Sequence, residues 1–144
     1  MTNNQDPTAT SQFQALSEDT GELDARKVGL SEEDYRAVQA LPPLSALLVV
    51  RRGPNTGARF LLNSDSTIAG RHPKSDIFLD DVTVSRKHCE FLRHDGDFFV
   101  RDLGSLNGTY VNRERVDEIG LVTGDEVQIG KYRLTFQGSP NSID

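Results

Sequence analysis

Between Ala46 and Phe136 turn signals interrupt the chain so often that no long helix can grow there. Gly53-Pro54-Asn55-Thr56-Gly57, His94-Asp95-Gly96, Asn107-Gly108 and Gly130-Lys131 break the sequence into short apolar or alternating runs. Those runs are Ala46–Arg51, Arg59–Leu62, Ser66–Ala69, Ile77–Leu79, His88–Arg93, Asp97–Asp102, Thr109–Val111, the vicinity of Val116, Glu126–Ile129 and Tyr132–Phe136. Each has strand length, and several are rich in β-branched and aromatic residues. Short strands punctuated by turns every ~8–12 residues predict an all-β, two-sheet sandwich. Asp95-Gly96 is the expected tip of a hairpin, because both residues accept the positive φ that a tight turn requires. Neither an internal repeat nor a low-complexity tract is present.

The first 42 residues read differently. Residues 1–30 are rich in Thr, Ser, Asn, Gln, Asp and Glu, with Phe13, Leu16, Leu23, Val28 and Leu30 scattered among them. That composition buries too little apolar surface to offset chain entropy, so a mostly disordered N-terminal tail is expected over 1–42. Within it, Ser31 can cap a helix, Glu32, Glu33 and Asp34 suit a first turn, and Tyr35, Val38 and Leu41 recur at intervals of three. The spacing predicts a short helix over 31–41, ended by Pro42-Pro43. The folded domain is placed at 43–138 and a short C-terminal tail at 139–144.

The 144 residues carry Lys+Arg 16 against Asp+Glu 22, a formal charge of -6. Residues 1–42 hold eight acids and three bases, and 43–144 hold fourteen acids and thirteen bases. An acidic protein is poorly suited to nucleic acid, which is bound by neutralising phosphates. The near-neutral second part still leaves room for a local basic pocket. One cysteine, Cys89, allows neither an internal disulfide nor a cysteine metal site. With no signal-peptide pattern and no run of ~18 apolar residues, the expectation is a cytoplasmic protein with no membrane contact, no cofactor and no metal.

Four polar clusters punctuate residues 70–112: Gly70-Arg71, Ser85-Arg86-Lys87-His88, Gly104-Ser105-Leu106-Asn107-Gly108-Thr109 and Val111-Asn112. Each falls where a strand is expected to end. Brought to one edge of a β-fold they would offer two guanidinium groups, hydroxyls and an amide. That set suits a phosphate carried on a peptide: an arginine forks charge-assisted bonds onto phosphate, a hydroxyl serves another oxygen, and an amide matches a peptide unit with one donor and one acceptor. Taken singly, Arg71 reads as a solvated surface arginine, Ser85 as a turn cap and Asn107-Gly108 as a turn. His88 reads as a brace for the loop backbone.

Bond-breaking chemistry has no comparable support. Ser85, His88 and Asp80 or Asp81 supply the residue types of a hydrolytic triad, yet no Gly-x-Ser-x-Gly elbow is present. Gly124 to Gly130-Lys131 imitates a phosphate loop, but five residues separate the glycines and Tyr132 stands where Ser or Thr is needed. Cys89, between His88 and Glu90, reads as a half-buried structural thiol. No catalytic residue is therefore assigned.

In order and spacing the clusters resemble those of the forkhead-associated domain: Gly70-Arg71, Ser85 with His88, Asn107-Gly108 and a further Asn112. The resemblance implies a β-sandwich that binds phosphothreonine peptides through loops at one end. It implies that Arg71 and Ser85 contact the phosphate, Arg86 supports them, and Asn107 holds the peptide backbone with Leu106 and Thr83 beside it. Gly70, His88, Gly108 and Asn112 would be structural.

Leu41-Pro42-Pro43, Ser45–Val50, Arg52-Gly53-Pro54-Asn55, Ala69–Pro73, Ser75–Arg86, Gly104–Glu114 and Gly124–Lys131 further resemble the small actinobacterial inhibitors of 2-oxoglutarate dehydrogenase, also called glycogen accumulation regulators. This resemblance covers roughly residues 41–137. It implies that the unphosphorylated protein binds and inhibits the E1-type subunit of 2-oxoglutarate dehydrogenase and modulates glutamate metabolism. It also implies that a Ser/Thr protein kinase phosphorylates a tail threonine, after which the domain binds its own tail and releases the enzyme. In that family the tail motif has an acidic residue, two adjacent threonines, Ser, Val and Phe. Here Thr8-Ala9-Thr10-Ser11-Gln12-Phe13 lacks the acid and one threonine. Thr10, with Phe13 three positions on, is the first candidate, and Thr20, with Leu23 three positions on, is the second. The alternative is a phosphopeptide adaptor for kinase signalling that inhibits no metabolic enzyme.

Overall fold

The computed structural model describes residues 30–143. Thr10, Thr20 and the expected tail over residues 1–29 lie outside the described residues. Helix α1, Glu32–Gln39, opens with Glu32, Glu33 and Asp34 in its first turn. Ser31 caps it, its Oγ accepting the Asp34 N–H at 3.0 Å. The helix is a little shorter than the expected 31–41. Its last turn tightens as the Leu41 N–H bonds the Val38 carbonyl at 3.1 Å, and Pro42 follows. A division between compact units falls inside α1, between Tyr35 and Arg36.

In the second unit Val38 and Leu41 are buried. The Asn141 amide donates to the Gln39 and Leu41 carbonyls at 3.0 and 2.7 Å, and the Ser139 hydroxyl donates to Leu41 at 3.0 Å. The chain entering the first strand is thus tied to the chain leaving the last. Among the described residues no helix is long and apolar enough to cross a membrane.

Eleven strands follow: β1 Ala46–Arg52, β2 Arg59–Leu62, β3 Ser66–Gly70, β4 Ile77–Phe78, β5 Cys89–His94, β6 Asp97–Asp102, β7 Thr109–Val111, β8 Glu114–Val116, β9 Glu118–Leu121, β10 Glu126–Ile129 and β11 Tyr132–Gly138. They form a six-stranded sheet, β2-β1-β11-β10-β7-β8, and a five-stranded sheet, β4-β3-β5-β6-β9. This is the expected two-sheet sandwich. Its core takes one face from each sheet. Leu48, Val50, Leu134 and Phe136 come from the larger sheet and Cys89, Phe91, Phe98 and Val100 from the smaller. Phe98 and Phe136 meet across the layer with ring centroids 5.6 Å apart.

The β5–β6 hairpin turns at Asp95 and Gly96, with φ of 52° and 82°, as the Asp-Gly pair demands. Elsewhere the structure departs from the sequence expectation. Strand β9 is new, since Glu118, Ile119 and Gly120 are exposed and glycine weakens any strand signal. At Asn107-Gly108 only Gly108 takes positive φ, 86°. Cys89 is fully buried rather than half-buried, because it points from β5 into the core, and burial pushes its thiol far above the ordinary range.

One buried group stands out on the outer face of the larger sheet. Gln137, opposite Leu47, is fully buried, and neither polar atom of its amide has a hydrogen-bond partner among the described residues. Burying an unpaired amide costs about 1–3 kcal/mol, so Gln137→Met is expected to raise stability by about that amount. Urea unfolding should show a higher midpoint with an unchanged slope; a lower midpoint would mean that the amide is satisfied in solution.

Candidate functional site

The end of β3 needs glycine for a steric reason. A Cβ on Gly70 would lie 2.0 Å from the Arg86 carbonyl oxygen, a distance no side chain can occupy. This close approach zips the two loops together. The Arg71 N–H donates to the Ser85 carbonyl at 2.9 Å and the His72 N–H to the Arg86 carbonyl at 3.3 Å. Arg71 is exposed, but its Nε is fixed by the Val84 carbonyl at 3.0 Å. Its two terminal nitrogens have no partner among the described residues and are aimed by that anchor. A held guanidinium is pre-organised for an anion, because less rotamer freedom remains to be lost on binding.

His88 joins the second loop to the third. Its Nδ1 accepts the Ser85 N–H at 3.1 Å, so the proton sits on Nε2, which donates to the Gly108 carbonyl at 2.9 Å. Burial lowers its pKa below 6.5, against the opposite pulls of the Gly108 carbonyl and Asp102. Both ring nitrogens therefore serve the backbone. Neither holds the Ser85 hydroxyl, and the geometry of a serine–histidine nucleophile is absent here. The Ser85 Oγ instead accepts the Leu106 N–H at 3.0 Å, which leaves its own hydrogen free to donate. Leu106 is 85% exposed and Val82, on the adjoining loop, is 87% exposed.

Asn107 and Thr83 close the arrangement. The Asn107 Nδ2 donates to the Thr83 carbonyl at 2.9 Å, leaving the amide oxygen as a free acceptor. The Thr83 Oγ1 accepts the Lys131 N–H at 2.9 Å and donates to the Asp81 carboxylate. Hydrogen bonds from the Thr83 side chain and backbone hold the Asp81 carboxyl below its ordinary range. Gly70, Arg71, Thr83, Ser85, Arg86, Leu106, Asn107 and Gly108 are thus brought to one end of the sandwich.

Asn112 is not. It sits at the turn after β7 with φ of 50°, its Oδ1 accepting the Glu126 N–H and its Nδ2 donating to Asp125, each at 3.0 Å. Glu126 begins β10 whereas Ile129, opposite Thr109, ends it, so Asn112 lies at the far end of the sheet. The idea that all four clusters share one edge is corrected on this point. Strand β7 intervenes, and three residues of extended chain carry Asn112 away.

Sequence reasoning missed the residues that hold the third loop. The Asp102 carboxylate accepts the Gly104 and Ser105 N–H groups at 2.9 and 3.0 Å, and the Ser105 and Thr109 hydroxyls at 2.5 and 2.8 Å. Burial alone would raise its pKa, yet these four bonds together hold it below the ordinary value. Ser105 in turn accepts the Gly108 N–H at 2.9 Å. An Asp at a strand end followed by Gly-Ser is an Asx-turn signal that points to this knot. Gly130 was read only as a turn. A Cβ there would lie 2.4 Å from the Thr83 hydroxyl, so it also admits Thr83 to the site.

A β-sandwich with a fixed arginine, a serine hydroxyl and an asparagine amide on three hydrogen-bonded loops is the architecture of a forkhead-associated domain, and the FHA domain model matches residues 67–130. A solved structure described as "Structural and functional analysis of phosphothreonine-dependent FHA domain interactions" superposes with a TM-score of 0.62 at 31% identity, covering 67% of this chain and 99% of that one. The chain is 62% identical over 123 residues to the Glycogen accumulation regulator GarA of Mycolicibacterium smegmatis, covering 85% of this chain and 78% of the relative. It is 66% identical over 100 residues to the Oxoglutarate dehydrogenase inhibitor of Corynebacterium glutamicum, covering 69% of this chain and 70% of the relative. The chain belongs to this family of FHA-domain regulators.

The His88 bridge makes a pH prediction. The folded state holds the ring below its ordinary pKa of 6.5, so the unfolded chain takes up the proton first. The stabilisation is complete above that pH and is lost as pH falls beneath it. Wild-type unfolding midpoints should decline as pH falls below 6.5, and His88→Ala should flatten that slope. His88→Ala should also cost about 2–4 kcal/mol, because it strands the Ser85 N–H and the Gly108 carbonyl. Thermal melts across pH for both proteins check this.

Proposed function

We propose that this protein is a phosphothreonine-binding regulator that, when unphosphorylated, binds and inhibits 2-oxoglutarate dehydrogenase through its E1-type subunit and so modulates glutamate metabolism. The observation that carries the proposal is the anchored Arg71. Its Nε is committed to Val84 while its terminal nitrogens stand open beside the Ser85 hydroxyl's loop. In this reading Arg71 and Ser85 take the phosphate, Arg86 adds charge, and the Asn107 oxygen accepts a peptide N–H, with Leu106 and Thr83 flanking it. The names of the GarA and dehydrogenase-inhibitor relatives supply the metabolic target. No catalytic step is assigned to any residue.

A Ser/Thr kinase acting on Thr10, or on Thr20, would turn the protein's own tail into a ligand. Phosphothreonine carries nearly two negative charges and three strong acceptors. Tethering supplies an effective concentration of order millimolar, so a site of micromolar affinity would be mostly occupied once the tail is phosphorylated. Selectivity for threonine over serine needs more than its methyl group, whose burial is worth only about 0.8 kcal/mol. The preformed loops supply the shape that must add to it.

Calorimetric titration of the full chain with a peptide of residues 5–16 phosphorylated on Thr10 tests the binding step. Micromolar affinity is expected, with Arg71→Ala losing at least about tenfold, since charge-assisted bonds contribute about 1.5–3 kcal/mol each. A dehydrogenase assay tests the regulatory step. The unphosphorylated protein should inhibit, and stoichiometric phosphorylation at the tail threonine should relieve that inhibition. An adaptor with no metabolic role would bind the peptide and leave the enzyme untouched.

A further inference from the structure

The outer face of the six-stranded sheet carries a transverse row of cations that none of the roles above uses. Arg133 on β11 stands opposite Arg52 on β1 on one side and Gln128 on β10 on the other. Gln128 faces Tyr110 on β7, and Tyr110 faces Arg115 on β8. Neighbouring positions Val127, Ile129, Leu134 and Val111 are buried in the core, so strand alternation turns Arg133, Gln128 and Tyr110 outward, and a register shift between Val50 and Arg52 sets the exposed Arg52 beside them. Arginine–carboxylate ion pairs among the described residues lie elsewhere, at Arg93–Asp65 and Arg101–Glu90. Arg52, Arg115 and Arg133 have no carboxylate partner among the described residues. The nearest acids by register are Glu126 and Glu114, which face Thr135 and Val111, each one step removed from the row.

The row runs into the loop site. The Arg115 side chain lies over Gly108, where a Cβ would meet its Nε at 2.9 Å. A depression of about 250 Å³ lined by Thr83, Asn107, Gly108, Tyr110, Gln128 and Lys131 joins the two. Lys131, at the rim, lies close enough to Asp81 to help lower that carboxyl, so its charge is partly matched. Arg52, Arg115 and Arg133 have no matching carboxylate among the described residues, and a planar guanidinium is suited to carboxylates.

Resting on the phosphothreonine reading above, we propose that this row is a second reading head. It selects phosphothreonine partners whose chain beyond the phosphorylated residue is acidic, and it draws that acidic segment across the sheet from Arg115, beside Asn107 and Gly108, past Tyr110 and Gln128 toward Arg133. The occupant follows from charge complementarity and from the continuity of the row with the loop site. The row lengthens the footprint without touching the phosphate. It therefore governs which phosphorylated segments are preferred rather than whether phosphothreonine is bound.

Two synthetic phosphothreonine 20-mers test this, one with Glu and Asp at the positions beyond the phosphorylated residue and one with Gln and Asn there. Affinities for the full chain and for the double variant Arg115→Gln, Arg133→Gln are measured by fluorescence anisotropy at low and high salt. The acidic peptide should bind about three- to tenfold more tightly at low salt, and the advantage should vanish in the double variant and in about 0.5 M salt. The neutral peptide should bind both proteins alike. Equal affinity of the two peptides for wild type overturns the second reading head and leaves the phosphothreonine site standing. An equal loss for both peptides in the double variant also overturns it, by showing that the arginines support the loops. If neither peptide binds, the phosphothreonine reading falls as well.

Discussion

The histidine bridge between Ser85 and Gly108 is the contact on which the binding end depends. The loop that carries Ser85 joins β4 to β5 and the loop that carries Asn107 joins β6 to β7; β4 does not pair with β5, nor β6 with β7, so neither loop has a ladder of its own to hold it. One neutral imidazole accepts a backbone N–H from the first and donates to a backbone carbonyl of the second. Because each nitrogen has a fixed role, the tautomer is set and the separation of the loops with it. Ser85 then returns the contact by accepting the Leu106 N–H. An imidazolium cannot accept from Ser85, so the bridge works only in the state that burial favours.

The other anchors follow the same economy. The Asp102 carboxylate gathers four donors and shapes the loop that ends in Asn107, while Thr83 links Asp81, Asn107 and Lys131. Two glycines clear space rather than make turns only: Gly70 beneath the Arg86 carbonyl and Gly130 beneath the Thr83 hydroxyl. Among these loops the polar groups that face inward are satisfied, and those that face outward keep a free capacity. Arg71 keeps its terminal nitrogens, Ser85 its hydroxyl hydrogen and Asn107 its amide oxygen. Such a surface can receive a phosphate and a peptide strand with little rearrangement, which is where affinity for a small ligand is usually lost.

Much of this was legible from residue types and spacing. Turn residues at regular intervals between short apolar runs specify a β-sandwich because local φ preferences and the period of two are properties of the chain itself. Asp95-Gly96 is the clearest case, and Ser31 with three acids behind it specifies the start of α1. The ordered set Gly70-Arg71, Ser85, His88 and Asn107-Gly108 likewise marked groups that the fold gathers at one end of the sandwich. Local pattern failed where no strong preference existed. Strand β9 is an exposed edge containing glycine, and its pairing with β6 is a tertiary event. Asn112 was grouped with the other clusters because distance along the chain conceals the direction in which β7 runs.

Strand-forming segments, turns, the start of α1 and the kinds of groups available are properties of the chain, because they depend on each residue and its near neighbours. Which groups meet was set by the assembled sandwich. It placed Lys131 against Thr83 across 48 positions, buried Cys89 completely and lined Arg52, Arg133 and Arg115 in one row across five strands. Cross-strand register and close backbone approach produce those meetings, and both are settled by packing of the whole sandwich rather than by any local run of residues.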